Sequence, residues 1–246
     1  LRIKDALGDE VDDVTYSDQG DWAIRMSEDD PSLLRDENGW KWSTPADGRG
    51  ASLQLANINV SNKYGQNWFT GNSPTPGSKN DASLTLNAPL ILNVKHSPPV
   101  PRSGQEVVVS TKLRGVEDFN LEANLYWRVS TLDPGDFIEF TMQDQGVNGD
   151  IKSGDGIFSA LVPAQDNETV IEFYIKSTAG DSVRRWPNIG ESEEGPNALF
   201  QFDDESFSGS QPVYRMVMTA IEDRDFRFRN FNSSSDAQKN ATLIVR

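Results

Sequence analysis

Apolar and polar residues alternate along the middle of the chain with a period of two, which is the period of an extended strand. In NLEANLYWRV (120–129) this alternation puts five apolar side chains on one side: Leu121, Ala123, Leu125, Trp127 and Val129. ETVIEFYIKS (168–177) repeats it, with Ile171, Phe173 and Ile175 expected inward and Glu172, Tyr174 and Lys176 outward. EVVVSTKL (106–113) places Val107, Val109 and Leu113 inward in the same way. The pattern predicts half-buried β-strands.

Turn-forming residues separate these strands at intervals of about 8–12 residues, which is typical of an antiparallel sandwich. Two turn-rich segments, NSPTPGSKN (72–80) and RRWPNIGESEEGPNA (184–198), mark boundaries. We therefore predict an all-β chain in which residues 88–187 form an immunoglobulin-like antiparallel β-sandwich, preceded by a further β region over 1–87 and followed by a short mixed extension over 188–246. In that extension we expect a strand in QPVYRMVMT, one or two helical turns in AIEDRDFRFRNF and a strand in NATLIVR.

Charge and composition exclude several classes of function. The net charge of −15 repels nucleic-acid phosphates and anionic lipid headgroups, although it favours divalent cations. The absence of cysteine excludes disulfides, thiolate metal sites and thiol nucleophiles. No apolar run approaches the ~18–20 residues of a membrane span, so we expect no membrane insertion. Because the chain begins with Leu1 and not Met, we expect it to be a piece of a longer protein.

An Asp/Gly-rich loop, DQGVNGDIKSGDGIFSA (144–160), carries the strongest candidate for a metal site. Its oxygen ligands for calcium would be Asp144, Asn148, Asp150 and Asp155, and its glycines permit the left-handed backbone that lets such side chains converge. The spacing does not match an EF-hand. The alternative is a long turn in which Asp and Asn cap their own backbone. Both interpretations stay open, and no other cofactor is expected.

Catalytic motifs are absent from the sequence, and we expect no enzymatic activity. The single histidine, His96, lies in the proline-rich segment VKHSPPVP and is predicted to be a solvated linker residue. Trp40 and Trp42, two positions apart in NGWKWSTP, would point to one side of a strand. They are candidates for a sugar-stacking platform, with burial against the sandwich as the alternative.

Residues 5–80 resemble the later part of a bacterial lamin tail domain. The matching segments are GDEVDDVTY (8–16), Trp22, DGRGASLQL (47–55) and QNWFTGNSPTPGSKN (66–80). The resemblance implies an immunoglobulin-like sandwich over 1–87 that serves as an attachment module without chemistry of its own. The chain is then expected to contain two tandem immunoglobulin-like antiparallel β-sandwiches, 1–87 and 88–187. The opening strands of that family would lie before Leu1, so the domain is either truncated or completed by strands from elsewhere.

Two further resemblances follow along the chain. Residues 88–187 resemble an immunoglobulin- or fibronectin-type module of large secreted bacterial proteins, through Pro89, Val94, Pro98, Gly104, Val107, the Asp/Gly loop and VIEFYIKSTAGD (170–181). Residues 211–246 resemble the first strands of a CotH-type (spore coat protein H-like) kinase domain, through PVYRMVMT and NATLIVR. The nucleotide-binding and catalytic residues of that family would lie beyond Arg246.

These resemblances imply a non-catalytic adhesion, attachment and spacer segment of a large exported bacterial lamin-tail-domain protein, secreted or at the cell surface. Its expected partners are a protein or a surface polysaccharide, together with a downstream domain of the same parent chain. Two alternatives remain: an N-terminal accessory part of a CotH-like protein kinase, and a carbohydrate-binding module acting through Trp40 and Trp42.

Overall fold

The computed structural model of the chain describes residues 1–28, 39–80, 88–115, 120–189, 195–206, 208, 210–227 and 238–245. These residues form antiparallel sheets and one α-helix, which confirms the all-β prediction. The first strands are β1 (Arg2–Lys4), β2 (Glu10–Asp13), β3 (Ile24–Glu28), β4 (Gly39–Ser43), β5 (Ser52–Leu55) and β6 (Trp68–Gly71). Then follow β7 (Leu90–Ser97), β8 (Val107–Arg114), β9 (Glu122–Val129), β10 (Ile138–Thr141), β11 (Ile157–Val162), β12 (Val170–Ala179), β13 (Ser182–Trp186) and β14 (Ala198–Gln201). The last elements are β15 (Tyr214–Met218), α1 (Ala220–Arg227) and β16 (Ala241–Val245).

Strands β7 to β14 form a sandwich of two sheets. The larger sheet has five strands in the order β10-β9-β12-β13, with β14 also paired to β12, and the smaller has the order β11-β8-β7. The larger sheet extends beyond residue 187, where the sequence boundary was placed, because β14 (198–201) pairs with the first half of β12. Phe200 of β14 and the following Phe202 are both 0% exposed and belong to the core of the sandwich.

The core lies between these two sheets, on the faces that the alternation predicts. Its fully buried large side chains come from both sheets and from the β14 segment: Ile91, Val107, Val109, Leu125, Val162, Ile171, Phe173, Ile175, Phe200 and Phe202. The inward positions of 106–113, 120–129 and 168–177 are thus confirmed. One outward position differs, because Glu172 is only 5% exposed. His96 also differs: it lies within β7, its ring stacks on Phe200 at 4.9 Å, and the prediction of a solvated linker residue is wrong.

The described residues before β7, called here the first region, form three two-stranded ladders: β1–β2, β3–β4 and β5–β6. The first region is anchored to the sandwich by hydrogen bonds to main-chain atoms. Gln66 accepts a bond from the Ile91 amide at 2.9 Å and donates to the Ile91 carbonyl at 2.7 Å. Arg184 of β13 donates to the Gln66 carbonyl at 2.6 Å.

The C-terminal segment, residues 210–245, contains α1 and the antiparallel pair β15–β16. Both strands and the helix agree with the elements predicted from the sequence of this segment. One face of the pair is exposed and apolar, through Tyr214, Met216, Leu243 and Val245. Within the described part of the chain, no helix has the length and hydrophobicity needed to cross a membrane.

Candidate functional site

The Asp/Gly loop joins β10 to β11 and therefore crosses from one sheet of the sandwich to the other. This position explains its glycines. Gly149 has φ +87°, and a Cβ added there would lie 2.7 Å from Cγ1 of Val108, so the loop backbone packs directly on β8. Asn148 is exposed and has φ +53°, which is also left-handed. The loop as a whole is a shaped connection held against the sandwich.

Three of the four predicted ligands come together in this loop. Carboxylate oxygens of Asp144, Asp150 and Asp155 lie within 4.8 Å of one another. Each carboxylate also accepts hydrogen bonds from loop amides. Asp144 accepts from Gly154, Asp155 and Gly156 at 2.7, 3.2 and 2.9 Å. Asp150 accepts from Gly146 and Lys152 at 2.6 and 3.2 Å, and Asp155 accepts from Ile157 at 2.9 Å.

These hydrogen bonds from backbone amides are the ones expected of the self-capped turn, because the donors belong to the loop itself. They do not occupy every lone pair, since two carboxylate oxygens offer about four acceptor sites. The three clustered negative charges also provide hard oxygen ligands of the kind that calcium prefers. The turn function follows from the hydrogen bonds, and calcium binding stays a prediction.

Trp40 and Trp42 both lie on β4, with Lys41 exposed between them. The two rings have different environments. Trp40 donates from Nε1 to Glu222 of α1 at 2.8 Å, and its amide donates to the Gln238 carbonyl at 2.8 Å. Trp42 lies 5.0 Å from the guanidinium carbon of Arg25. Trp40 therefore contacts the C-terminal segment, and neither ring stands isolated on the surface.

Glu222 is the centre of a set of polar contacts that sequence analysis did not identify. It is 9% exposed, and its Oε1 accepts bonds from Trp40 Nε1 and from the Asn240 amide at 2.9 Å. Its Oε2 accepts from the Thr219 hydroxyl at 3.2 Å. Three distant parts of the sequence, β4, α1 and the segment before β16, therefore meet at one carboxylate.

A second buried carboxylate, Glu172 of β12, extends these contacts onto the sandwich. Arg128 of β9 donates to its Oε1 at 3.0 Å, and Asn197 donates to its Oε2 at 2.8 Å. Asn240 in turn donates to the Asn197 carbonyl at 2.9 Å. The residues Arg128, Glu172, Asn197, Asn240, Glu222 and Trp40 form what we call the junction network. A buried carboxylate with two such donors is stable where an unpaired one would not be.

Burial lowers the pKa of two arginines: Arg25, which donates to Asn240 of the junction network at 3.1 Å, and Arg184, at the border between the first region and the sandwich. Desolvation lowers the pKa of Arg25, and the nearby charge of Glu222 opposes this shift. Desolvation lowers the pKa of Arg184 to about 10, and the charge of Asp21 acts in the opposite direction. With a pKa of about 10, the Arg184 guanidinium remains charged at neutral pH.

Several cavities lie at the borders between these parts, and two of them adjoin the contacts just described. One, of about 670 Å³, borders the junction network and includes Trp40, Arg128, Phe137 and Asp225 in its wall. The other, of about 410 Å³, lies between the first region and strands β12 and β13. Both volumes fall in the range of about 300–1,000 Å³ that is usual for small-molecule sites.

The outer face of the larger sheet adjoins both cavities and carries a band of stacked rings and cations. Tyr126 and Tyr174 stack in parallel at 4.7 Å, and Phe137 meets Tyr174 edge-on at 4.8 Å. The guanidinium of Arg185 lies 4.2 Å from the Tyr174 ring centroid. Burial, followed by a hydrogen bond with Glu139, raises the pKa of Tyr126 to about 12.

Comparison with known proteins finds no family model that matches the sequence and no match among curated proteins.

Proposed function

We propose that this chain is a non-catalytic attachment and spacer segment of a large exported bacterial protein of the lamin-tail-domain type, secreted or displayed at the cell surface. The observation that carries the proposal is the junction network. Through Glu222 it connects β4 of the first region with the C-terminal segment, and through Asn197 and Glu172 it connects both with the sandwich. A spacer must hold its two ends at a fixed distance, and it therefore needs fixed connections of this kind between its parts.

The nature of these contacts supports rigidity. Glu172 is 5% exposed and Glu222 is 9% exposed, so water competes weakly with their partners. Hydrogen bonds to charged groups contribute about 1.5–3 kcal/mol each when buried. Networks of such bonds also fix one arrangement, because breaking a single member leaves the others unsatisfied.

The same contacts support a structural function for the two carboxylates. A general acid or base must present its proton-exchanging oxygen to a substrate. Both oxygens of Glu172 already accept bonds from Arg128 and Asn197. Both oxygens of Glu222 also accept hydrogen bonds, from Trp40 of β4, from Thr219 just before α1 and from Asn240 just before β16.

The spacer function is tested by a distance measurement across the junction network. The chain has no cysteine, so cysteines introduced at Asn59 and Leu243 would be the sole sites for spin labels. We expect a narrow distance distribution for the labelled parent. Glu222→Ala should broaden it, because Trp40 Nε1 and the Asn240 amide lose their acceptor. Glu222→Gln is the matched control, since it keeps an acceptor oxygen and should stay narrow.

A broad distribution in the parent, or an unchanged one in Glu222→Ala, would contradict the spacer function. The attachment function needs a separate measurement. We expect the folded chain to bind saturably to isolated bacterial envelopes, with the heat-unfolded chain as the control for nonspecific adsorption. Equal binding of both forms would contradict attachment by the folded surface.

A further inference from the structure

The 410 Å³ cavity between the first region and the sandwich has an aromatic lining. Five rings from both sides contribute to its wall: Trp22, Trp68, Phe69, Tyr174 and Trp186. We call it the aromatic cleft. None of these five rings is buried, and Phe69 is 39% exposed. Rings that stay partly open at the border of two units provide stacking surfaces for a flat or ring-shaped ligand.

The charge of the aromatic cleft is opposite to that of the chain as a whole. Its wall contains three cations, Lys176, Arg184 and Arg185, and one acid, Asp21. The chain itself carries a net charge of −15. The general field of so acidic a protein repels anions. An anion would therefore be attracted only at short range, by the local excess of cations in the cleft.

Two of these cations have no carboxylate of a described residue at ion-pair distance. Lys176 has its Nζ 5.3 Å from the Tyr126 ring centroid and 5.7 Å from that of Tyr174. Arg184 donates to two neutral carbonyls, those of Gln66 at 2.6 Å and Ala88 at 3.4 Å. Among the residues that the structure describes, the ion pairs involve other cations.

Partly desolvated charges of this kind raise the free energy of the empty cleft, because ring quadrupoles and neutral carbonyls offset only part of the lost hydration. Arg184 already has the charge of Asp21 nearby, so an anionic group entering the cleft would supply a counter-charge chiefly for Lys176. The rings would pack against the apolar C–H face of the same ligand. A sugar ring that bears a carboxylate satisfies both requirements.

We infer that the aromatic cleft binds an acidic saccharide, with a uronate ring packed on its aromatic wall and the uronate carboxylate paired with Lys176. The inference rests on the proposed attachment function, which it deepens by naming the chemical class of the partner. It places the saccharide in a cleft whose wall does not include Trp40 or Trp42, at the border of β6 with β12 and β13.

The test is a calorimetric titration of the full chain with a short oligogalacturonate. The same oligosaccharide with methyl-esterified carboxyl groups and inorganic phosphate are titrated in parallel. We expect binding of the oligogalacturonate and at least about tenfold weaker binding of the neutral ester, as removal of a charge-assisted bond predicts. Phosphate should not compete, because it offers no ring to stack.

Variants separate the two parts of the site. Lys176→Gln and Phe69→Ala should each weaken binding of the oligogalacturonate by about tenfold. Lys95→Gln on β7 is the control for the first, since Lys95 is exposed on the other sheet. Phe226→Ala on α1 is the control for the second, since Phe226 is 55% exposed outside the cleft. Neither control should change the affinity.

The results would overturn the inference if the oligogalacturonate does not bind, if the ester binds equally well, if phosphate competes, or if the controls match the cleft variants. Failure here is distinct from failure of the attachment function. If neither added oligogalacturonate nor Lys176→Gln changes envelope binding, the saccharide inference is wrong and the attachment function stands. If oligogalacturonate binds with the expected variant pattern but the chain does not bind envelopes, the saccharide inference stands and the attachment function is wrong.

Discussion

The sandwich of β7 to β14 and the first region with β1 to β6 bury different kinds of side chains. The sandwich encloses a continuous core of large apolar residues, several of them 0% exposed. Up to residue 80, the buried side chains described in the first region are small or polar: Ala23, Gln54, Ala56, Gln66 and Asn67. Both regions consist of antiparallel strands. The same secondary structure is therefore stabilised by apolar burial in one region and by side-chain hydrogen bonds in the other.

Asn67 shows how the first region compensates for its small core. Its Nδ2 donates to the carbonyls of Asn57 and Val60, both at 2.9 Å, and its Oδ1 accepts from the Asn57 amide at 3.0 Å. Gln54 similarly donates to the Ser73 carbonyl at 2.9 Å. Amides used in this way fix loops onto strands in a region whose described residues include no fully buried large apolar side chain. The comparison predicts large effects from apolar truncations in the sandwich and from polar truncations in the first region.

The largest effect is expected from Phe200→Ala in the sandwich. Phe200 is 0% exposed and contacts Phe173, Phe202 and His96 through ring pairs. Its removal leaves a cavity and should lower the free energy of unfolding by about 3–5 kcal/mol, measured by chemical denaturation. Phe226→Ala on α1 is the control and should change stability by less than about 0.5 kcal/mol. A mild effect at Phe200 would show that β14 does not belong to the cooperative core.

Asn67→Ala should produce the largest effect within the first region. Asn67 is 2% exposed, so its loss leaves two carbonyls and one amide without their partner. We expect local destabilisation of about 1–3 kcal/mol. Hydrogen exchange of amides in β5 and β6 should accelerate while exchange in β12 stays slow, which distinguishes local from global opening. Asn59→Ala, at an exposed position in the same loop, should leave exchange unchanged.

The next effect in size is expected from Asp144→Ala in the Asp/Gly loop, the part of the sandwich whose conformation depends on side-chain hydrogen bonds. Three loop amides lose their acceptor, so the free energy of unfolding should fall by about 1–2 kcal/mol. Asp133→Ala, at an exposed position, should have no effect. The calcium prediction adds a rise in the melting temperature of the parent that grows with calcium concentration and is absent in Asp144→Ala. If calcium leaves the parent melt unchanged, the self-capped turn remains as the whole function of the loop.

The sequence contained enough information to predict the sandwich strands but not the junction network. Alternation identifies Val107, Leu125 and Ile175 as inward because burial of a strand face is a local, periodic property. Glu222 and Trp40 are 182 positions apart, and nothing local to either residue indicates that they meet. Glu172 occupies an outward position in the alternation, and it is buried because other parts of the chain cover that face of β12.

The candidate loop was predictable in part for the same reason. Asp144, Asp150 and Asp155 lie in one short segment, so their convergence follows from local turn chemistry. The aromatic cleft was not predictable, because its rings come from strands whose neighbours are determined by packing between the first region and the sandwich. Half-buried aromatics such as Trp22 and Trp186 give no signal of their location before the fold is known.

The smallest effect on stability is expected from the titration of His96, the polar ring at the edge of the apolar core. Burial lowers the pKa of His96, and the hydrogen bond to the Pro98 carbonyl at 3.1 Å opposes part of this shift. The unfolded chain therefore takes up a proton at a higher pH than the folded chain does. The contribution of the neutral, partly buried His96 to stability is complete above the usual histidine pKa of about 6.5 and is lost as the pH falls below that value. His96→Phe retains a ring against Phe200 but cannot titrate. Denaturation between about pH 7.5 and pH 5 should show a steeper loss of stability in the parent than in His96→Phe, whereas parallel curves would mean that the ring is as hydrated in the folded chain as in the unfolded one.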